Sequence, residues 1–137
     1  MQMRLSGQLV LLGIASCLIA QENTVLNEDM KLLHFIELDY PLSARLSHVQ
    51  GVVAVRVTLD AEGIVKSATA ISGPKLLIQD SIENAKKWQF KAGSGRAAVI
   101  IYHFKIEGLC NLPCRSQFSF WPPNLAVITM GEAVLDH

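Results

Sequence analysis

Residues 51–72, GVVAVRVTLDAEGIVKSATAIS, decide the fold. Val53, Val55, Val57 and Leu59 alternate with Val52, Ala54, Arg56 and Thr58. A period of two predicts a strand over Val52–Leu59 with the first set facing inward. The second set carries Arg56 and Thr58 and reads as the more solvated face. Asp60-Ala61-Glu62-Gly63 then breaks the alternation. Gly63 stands where a tight turn needs positive φ, and Asp60 and Glu62 read as turn residues. Ile64–Ser72 completes a hairpin, and its small residues Ser67, Ala68 and Ala70 leave room for a closely packed helix or a bulge.

Downstream, Pro74 is suited to a first helical position. Ile78, Ile82 and Ala85 repeat at helical spacing, with Trp88 three residues on. Asp80 and Glu83 precede Lys86 and Lys87, an order that complements the helix dipole. Trp88 reads as a core residue where the helix meets the sheet. Gly93-Ser94-Gly95 is a turn and lacks the features of a phosphate loop. A third strand follows over Val99–Glu107, with Ile100, Tyr102, Phe104 and Ile106 on one face and Val99, Ile101, His103 and Lys105 on the other. Upstream, Tyr40-Pro41 requires extended backbone at Tyr40 and starts a short helix before Gly51. Leu42, Ala44, Leu46 and Val49 are expected to share one side of it. Phe118–Trp121, the turn Pro122-Pro123-Asn124 and Leu125–Met130 predict a C-terminal hairpin. The expected fold is α+β: a small antiparallel sheet in the order hairpin, helix, strand, with one main helix on one face, a free sheet edge, and a C-terminal hairpin.

The chain has 137 residues, half of them hydrophobic, and no net formal charge. That is one domain by size, with apolar residues enough for one modest core. With no basic tract and no basic excess, nucleic acid is not an expected partner. Arg4 followed by the apolar run Leu9–Ala20 reads as a signal peptide over residues 1–20. The run falls short of the roughly 20 residues a spanning helix needs. Cleavage after Ala20 would give a periplasmic or secreted protein. Two alternatives stay open: Ile14-Ala15-Ser16-Cys17 as a lipobox with Cys17 lipidated, and a retained anchor facing the periplasm. Membrane contact is expected only through residues 1–20, if they are retained or lipidated. Residues 21–39 form a leader, 40–108 the domain and 109–137 an extension.

Export bears on Cys110 and Cys114, which an oxidising compartment favours as a disulfide closing a very short loop. A metal half-site would need further ligands, and a redox pair is usually separated by two residues rather than three. His34, His48, His103 and His137 are scattered without ligand spacing. His48, His103, Asp60 and Glu62 form no acid, base or nucleophile constellation, so no enzyme, catalytic residue, metal or cofactor is expected.

Several elements together carry a resemblance: Tyr40-Pro41, Gln50-Gly51 before an alternating strand, Asp60-x-x-Gly63, Ser72-Gly73, Asn84-Ala85-x-x-Trp88-x-Phe90, and the strand Ile100–Gly108. In this order they resemble the C-terminal domain of TonB, the energy transducer of Gram-negative envelopes. The resemblance implies an exported, periplasmic protein-binding module in energy-coupled transport. It implies that a peptide from an outer-membrane receptor, or another envelope protein, joins the sheet as an added strand. It places the partner site on Val99, Ile101, His103 and Lys105, with Asp39, Tyr40 and Pro41 alongside. The sequence departs from a full transducer in lacking a long spanning helix and a proline-rich spacer, in having Ala92 where the family often has proline, and in its extension after Gly108. These departures imply the alternative of a structural or adaptor protein of the envelope, its sheet edge covered by its own tail or by a homodimer partner.

Overall fold

Strand β2 (Gly51–Leu59) buries Val53, Val55, Val57 and Leu59, the inward set that the alternation predicts. In this computed structural model, which describes residues 31–93 and 96–134, β2 pairs antiparallel with β3 (Val65–Ser72). The expected signal peptide, Cys17, the start of the leader, and Ser94 and Gly95 of the expected turn lie outside the described residues. The hairpin turn is held by Asp60 Oδ1, which accepts from the amides of Glu62 and Ile64 at 3.0 and 2.9 Å. Gly63 has φ +85°, and its carbonyl accepts from the Phe90 amide at 2.8 Å. A Cβ on Gly63 would overlap the Phe90 carbonyl, so only glycine fits this turn.

Two helices cover one face of the sheet. Helix α1 (Leu42–Leu46) follows Pro41, and helix α2 (Lys75–Ala85) follows Pro74, which is extended and stands just outside the helix. Within α1 only Ala44 is buried, while Leu42 and Leu46 are 59% and 69% exposed. The expected shared side is thereby corrected: Leu42 and Leu46 lie one turn apart and project away from the small Ala44, which lets α1 sit close to the core. In α2 the buried residues are Leu77, Ser81, Asn84 and Ala85, and Ile78 and Ile82 are partly buried. The inner face is rotated by about one residue from the expected stripe, putting small Ser81 and Ala85 against the sheet. The Ser81 hydroxyl is satisfied by donating to the Leu77 carbonyl at 2.7 Å.

Asn84 ties the layers together. Its Oδ1 accepts from Trp88 Nε1 and from the Tyr102 hydroxyl, both at 2.8 Å, and its Nδ2 donates to the Ile36 carbonyl at 2.8 Å. An indole N–H can only donate, so the amide orientation is dictated by its neighbours. Burial pushes the Tyr102 phenol well above the ordinary value of 10.0, and burial also raises Tyr40. These are the chain's two tyrosines. The unfolded chain ionises near pH 10 while the folded one stays neutral. The stabilising difference is therefore fully present below pH 10 and falls as pH rises above it. We expect little phenolate absorbance before alkaline unfolding, and both tyrosines appearing together with it, in a spectrophotometric titration. A tyrosine that ionises near pH 10 in folded protein would contradict this burial.

The remaining strands complete the architecture. β1 (Leu32–His34) and β4 (Gln89–Phe90) form a small separate ladder. β5 (Ala97–Cys110) runs antiparallel to β2, burying Ala98, Ile100, Tyr102 and Phe104. β6 (Gln117–Trp121) and β7 (Leu125–Ala133) make the expected C-terminal hairpin around Pro122-Pro123-Asn124. This hairpin does not stand apart. β7 inserts between β5 and β6 and runs parallel to β5, giving one five-stranded sheet in the order β3-β2-β5-β7-β6. The fold is α+β, as expected, but the sheet is mixed rather than purely antiparallel. The cause is burial: Ala126, Ile128 and Met130 alternate along β7 and are 0%, 0% and 2% exposed. A lone two-stranded hairpin cannot bury such a face, so it continues the core of β5. Ile128 stands between Phe104 and Phe118 in one cross-strand row, and Phe35 covers Phe118, Phe120 and Trp88 at ring distances of 5.5, 5.4 and 6.0 Å.

Candidate functional site

The site implied by the sequence is the outer edge of β5, and here the tertiary structure corrects the expectation of a free edge. Ile101, His103 and Lys105 are paired with Leu125, Val127 and Thr129 of β7, so the ladder positions a visiting strand would use are filled. Asn124 secures the start of this ladder. Its carbonyl accepts from the Ile101 amide at 2.9 Å, and its Nδ2 donates to the Val99 carbonyl at 2.8 Å. At the other end Gly108, with φ +78°, interrupts the register before Leu109 and Cys110 pair with Glu132 and Ala133.

The second part of the expected site meets the same tail. The Tyr40 amide donates to Ser116 Oγ at 3.2 Å, and that hydroxyl donates to Asp39 Oδ1 at 3.1 Å. The Tyr40 hydroxyl donates to the Val49 carbonyl at 2.5 Å, and its ring meets Phe104 edge-on at 5.4 Å. Pro41 is buried and its carbonyl accepts from Arg45 N at 2.9 Å, opening α1. Tyr40, between Asp39 and Pro41, is thus brought beside Phe104 of β5, and Ser116 joins it and Asp39. Val99, Ile101, His103 and Lys105 share the sheet face opposite the helices. The alternation of buried Ala126, Ile128 and Met130 was the sequence signal that β7 has a core-facing side. Ser116 and Asn124 gave none, because each acts on a residue far along the chain.

The chain between β5 and β6 must pass over the end of β7. Cys110 and Cys114 lie within disulfide-bonding distance at this corner, with Cα atoms 5.7 Å apart. A Cβ on Gly131 would approach Cys110 Sγ to 3.0 Å, so the bare glycine lets β7 run beneath the corner. With β5 enclosed, the sheet's outer strands are β3 and β6. β6 is five residues long and abuts Pro122-Pro123, whereas β3 is eight residues long, contains no proline and has Lys66 as its one charge. Such an edge is the better template for an added strand.

The described residues hold no group of three or more His, Cys, Asp or Glu side chains placed to ligate a metal. Among them no helix is long and apolar enough to cross a membrane. Residues 36–107 match the family model for the Gram-negative bacterial TonB protein C-terminal. Among solved structures, the solution NMR structure of the Pseudomonas aeruginosa TonB CTD is similar at 26% identity, over 58% of this chain and 89% of that one, with a TM-score of 0.48. No curated protein matches the chain. The family match ends before Leu109, so β7, which closes the β5 edge, and its partner β6 lie beyond it.

Proposed function

This chain belongs to the Gram-negative bacterial TonB protein C-terminal family, and from that premise we propose that it serves as an exported envelope adaptor whose peptide-accepting edge is filled by its own tail. The observation that carries the reading is β7 lying in register along β5. The family resemblance implies an incoming strand at that position. In this reading β7 takes its place, and Asp39, Tyr40, Pro41, Val99, Ile101, His103 and Lys105 seat the tail instead of a receptor segment. The module acts without catalysis or cofactor. Its partners are envelope proteins or a second copy, and the open β3 edge is where they add. Export removes residues 1–20 and leaves Cys110 and Cys114 in an oxidising compartment, where they stay paired.

Energetics favour the closed form over peptide entry. Re-exposing Ala126, Ile128 and Met130 costs about 5 kcal/mol in lost burial alone. A receptor peptide with an intrinsic micromolar affinity for β5 would then bind only in roughly the millimolar range. Isothermal titration of the full chain with peptides from the plug regions of outer-membrane receptors is expected to give no saturation at sub-millimolar concentration. The chain ending at residue 116 is expected to bind such peptides or to self-associate, because an uncovered edge seeks a partner. Micromolar binding by the full chain would reject self-closure and favour the receptor-coupled reading.

A further inference from the structure

Two adjoining grooves lie where β5 and β7 end. One, of about 490 Å³, runs between α1 and the 110–114 loop and is walled by Leu46, Ile106, Leu112, Pro113, Met130 and Ala133, with His48 and Glu132 also lining it. The other, of about 460 Å³, is polar and carries Asp39, Arg45, Arg115 and Ser116. Arg45, Cys114 and Met130 line both, so the apolar groove opens into the polar one. Around them Leu42, Leu46 and Leu112 are 59%, 69% and 67% exposed. That is a concentration of uncovered aliphatic surface at one end of a small domain.

The charges are sorted as well. Asp39 Oδ1 accepts from Ser116, and Glu132 faces His48 at 3.9 Å. Among the described residues Arg45 and Arg115 have no carboxylate partner. Two guanidiniums against the single carboxylate of Asp39 leave the polar groove with an excess positive charge beside the aliphatic channel, which suits a ligand that is anionic at one end and hydrocarbon at the other. We propose that this double groove binds a single anionic amphiphile, with its acyl chain in the Leu46–Leu112 channel and its phosphate or carboxylate on Arg45 and Arg115. A hydrocarbon chain brings no amides that the aliphatic walls would leave unpaired, which sets it apart from a peptide. The site rests on the docked tail, because β7 supplies Met130 and Ala133 to its wall beside Ile106 of β5, but not on which partner the adaptor takes, so peptide titration and amphiphile binding fail separately.

The test uses the full chain and monomeric dodecyl phosphate, followed through the methyl signals of Leu46 and Leu112. Saturable binding at one site is expected, with inorganic phosphate alone failing to compete. Dodecyl maltoside, which has the same chain and no charge, is expected to bind more weakly. Arg45→Gln with Arg115→Gln should weaken dodecyl phosphate by roughly tenfold or more, the loss of at least one charge-assisted hydrogen bond. Leu46→Asp with Leu112→Asp should abolish binding, read for this variant through the methyl signals of Ile106 and Met130, which line the same groove. Leu46, Leu112 and Arg115 are exposed and Arg45 is half-buried, so thermal unfolding is expected to change little. Residues 1–20 are common to every variant and cannot produce the differences. Equal binding of the charged and uncharged amphiphiles, or arginine variants that bind like the parent, would overturn the proposal. Adsorption to phosphatidylglycerol vesicles without monomer binding, or an apolar peptide displacing dodecyl phosphate at lower concentration, would equally overturn it.

Discussion

Asn84→Leu is expected to cost about 4 kcal/mol of folding stability, since each buried polar group left unpaired costs about 1–3 kcal/mol. Leucine matches asparagine in rough size, so the loss is not mainly one of packing. It strands two donors: the indole of Trp88, 2% exposed, and the hydroxyl of Tyr102, 0% exposed. It also removes the donor to the Ile36 carbonyl, which holds the incoming chain against α2. Asn84→Asp, when ionised, keeps an acceptor for both donors but loses that third bond and buries a charge; when protonated, its O–H can donate to the Ile36 carbonyl, so it should fall between parent and leucine variant only at low pH. Urea denaturation checks the magnitude. A loss below about 1 kcal/mol for the leucine variant would mean that water reaches the two donors, contrary to their burial.

Ile128→Asp is expected to detach the tail from the sheet. Ile128 is fully buried between Phe104 and Phe118, and aliphatic truncation alone at such a site costs about 2–5 kcal/mol. A carboxylate adds a desolvation penalty with no partner nearby. Two outcomes of hydrogen exchange distinguish how the tail is integrated. If β6 and β7 form a separable unit, amides on the β7 side of β5 lose protection while those pairing β2 with β3 keep it. If the tail belongs to one cooperative core, protection falls throughout. We expect the first, because the family match and the β2–β3–α2 unit both end before the tail begins. Unaltered protection on β5 would contradict the closed edge. Ile128→Ala provides the milder variant, with about 3 kcal/mol lost and the fold retained.

Much of the fold was legible because its signals are local. The alternation in β2 needed only neighbouring residues, and Gly63 announced a turn through backbone freedom that other residues lack. Pro74 and the charge order of α2 marked a helix in the same way. The inward side of α2 was harder to read, because Ser81 and Asn84 look like solvent residues until their partners are known. Leu42 and Leu46 misled for the opposite reason: apolar residues suggest a core, yet the sheet had room only for Ala44. Half of the expected site was also local, since Tyr40-Pro41 must enter α1 in extended form. The bond from Tyr40 to Ser116 was invisible, because the two residues lie 76 positions apart.

By itself the sequence determined the hairpin, the main helix, the long third strand and the terminal hairpin, because short-range periodicity and turn chemistry are written in adjacent residues. Only the tertiary structure decided how the two hairpins and β5 join into one sheet. The pairing of β7 with β5 depends on where a second apolar face can be buried, and that is a property of the assembled core.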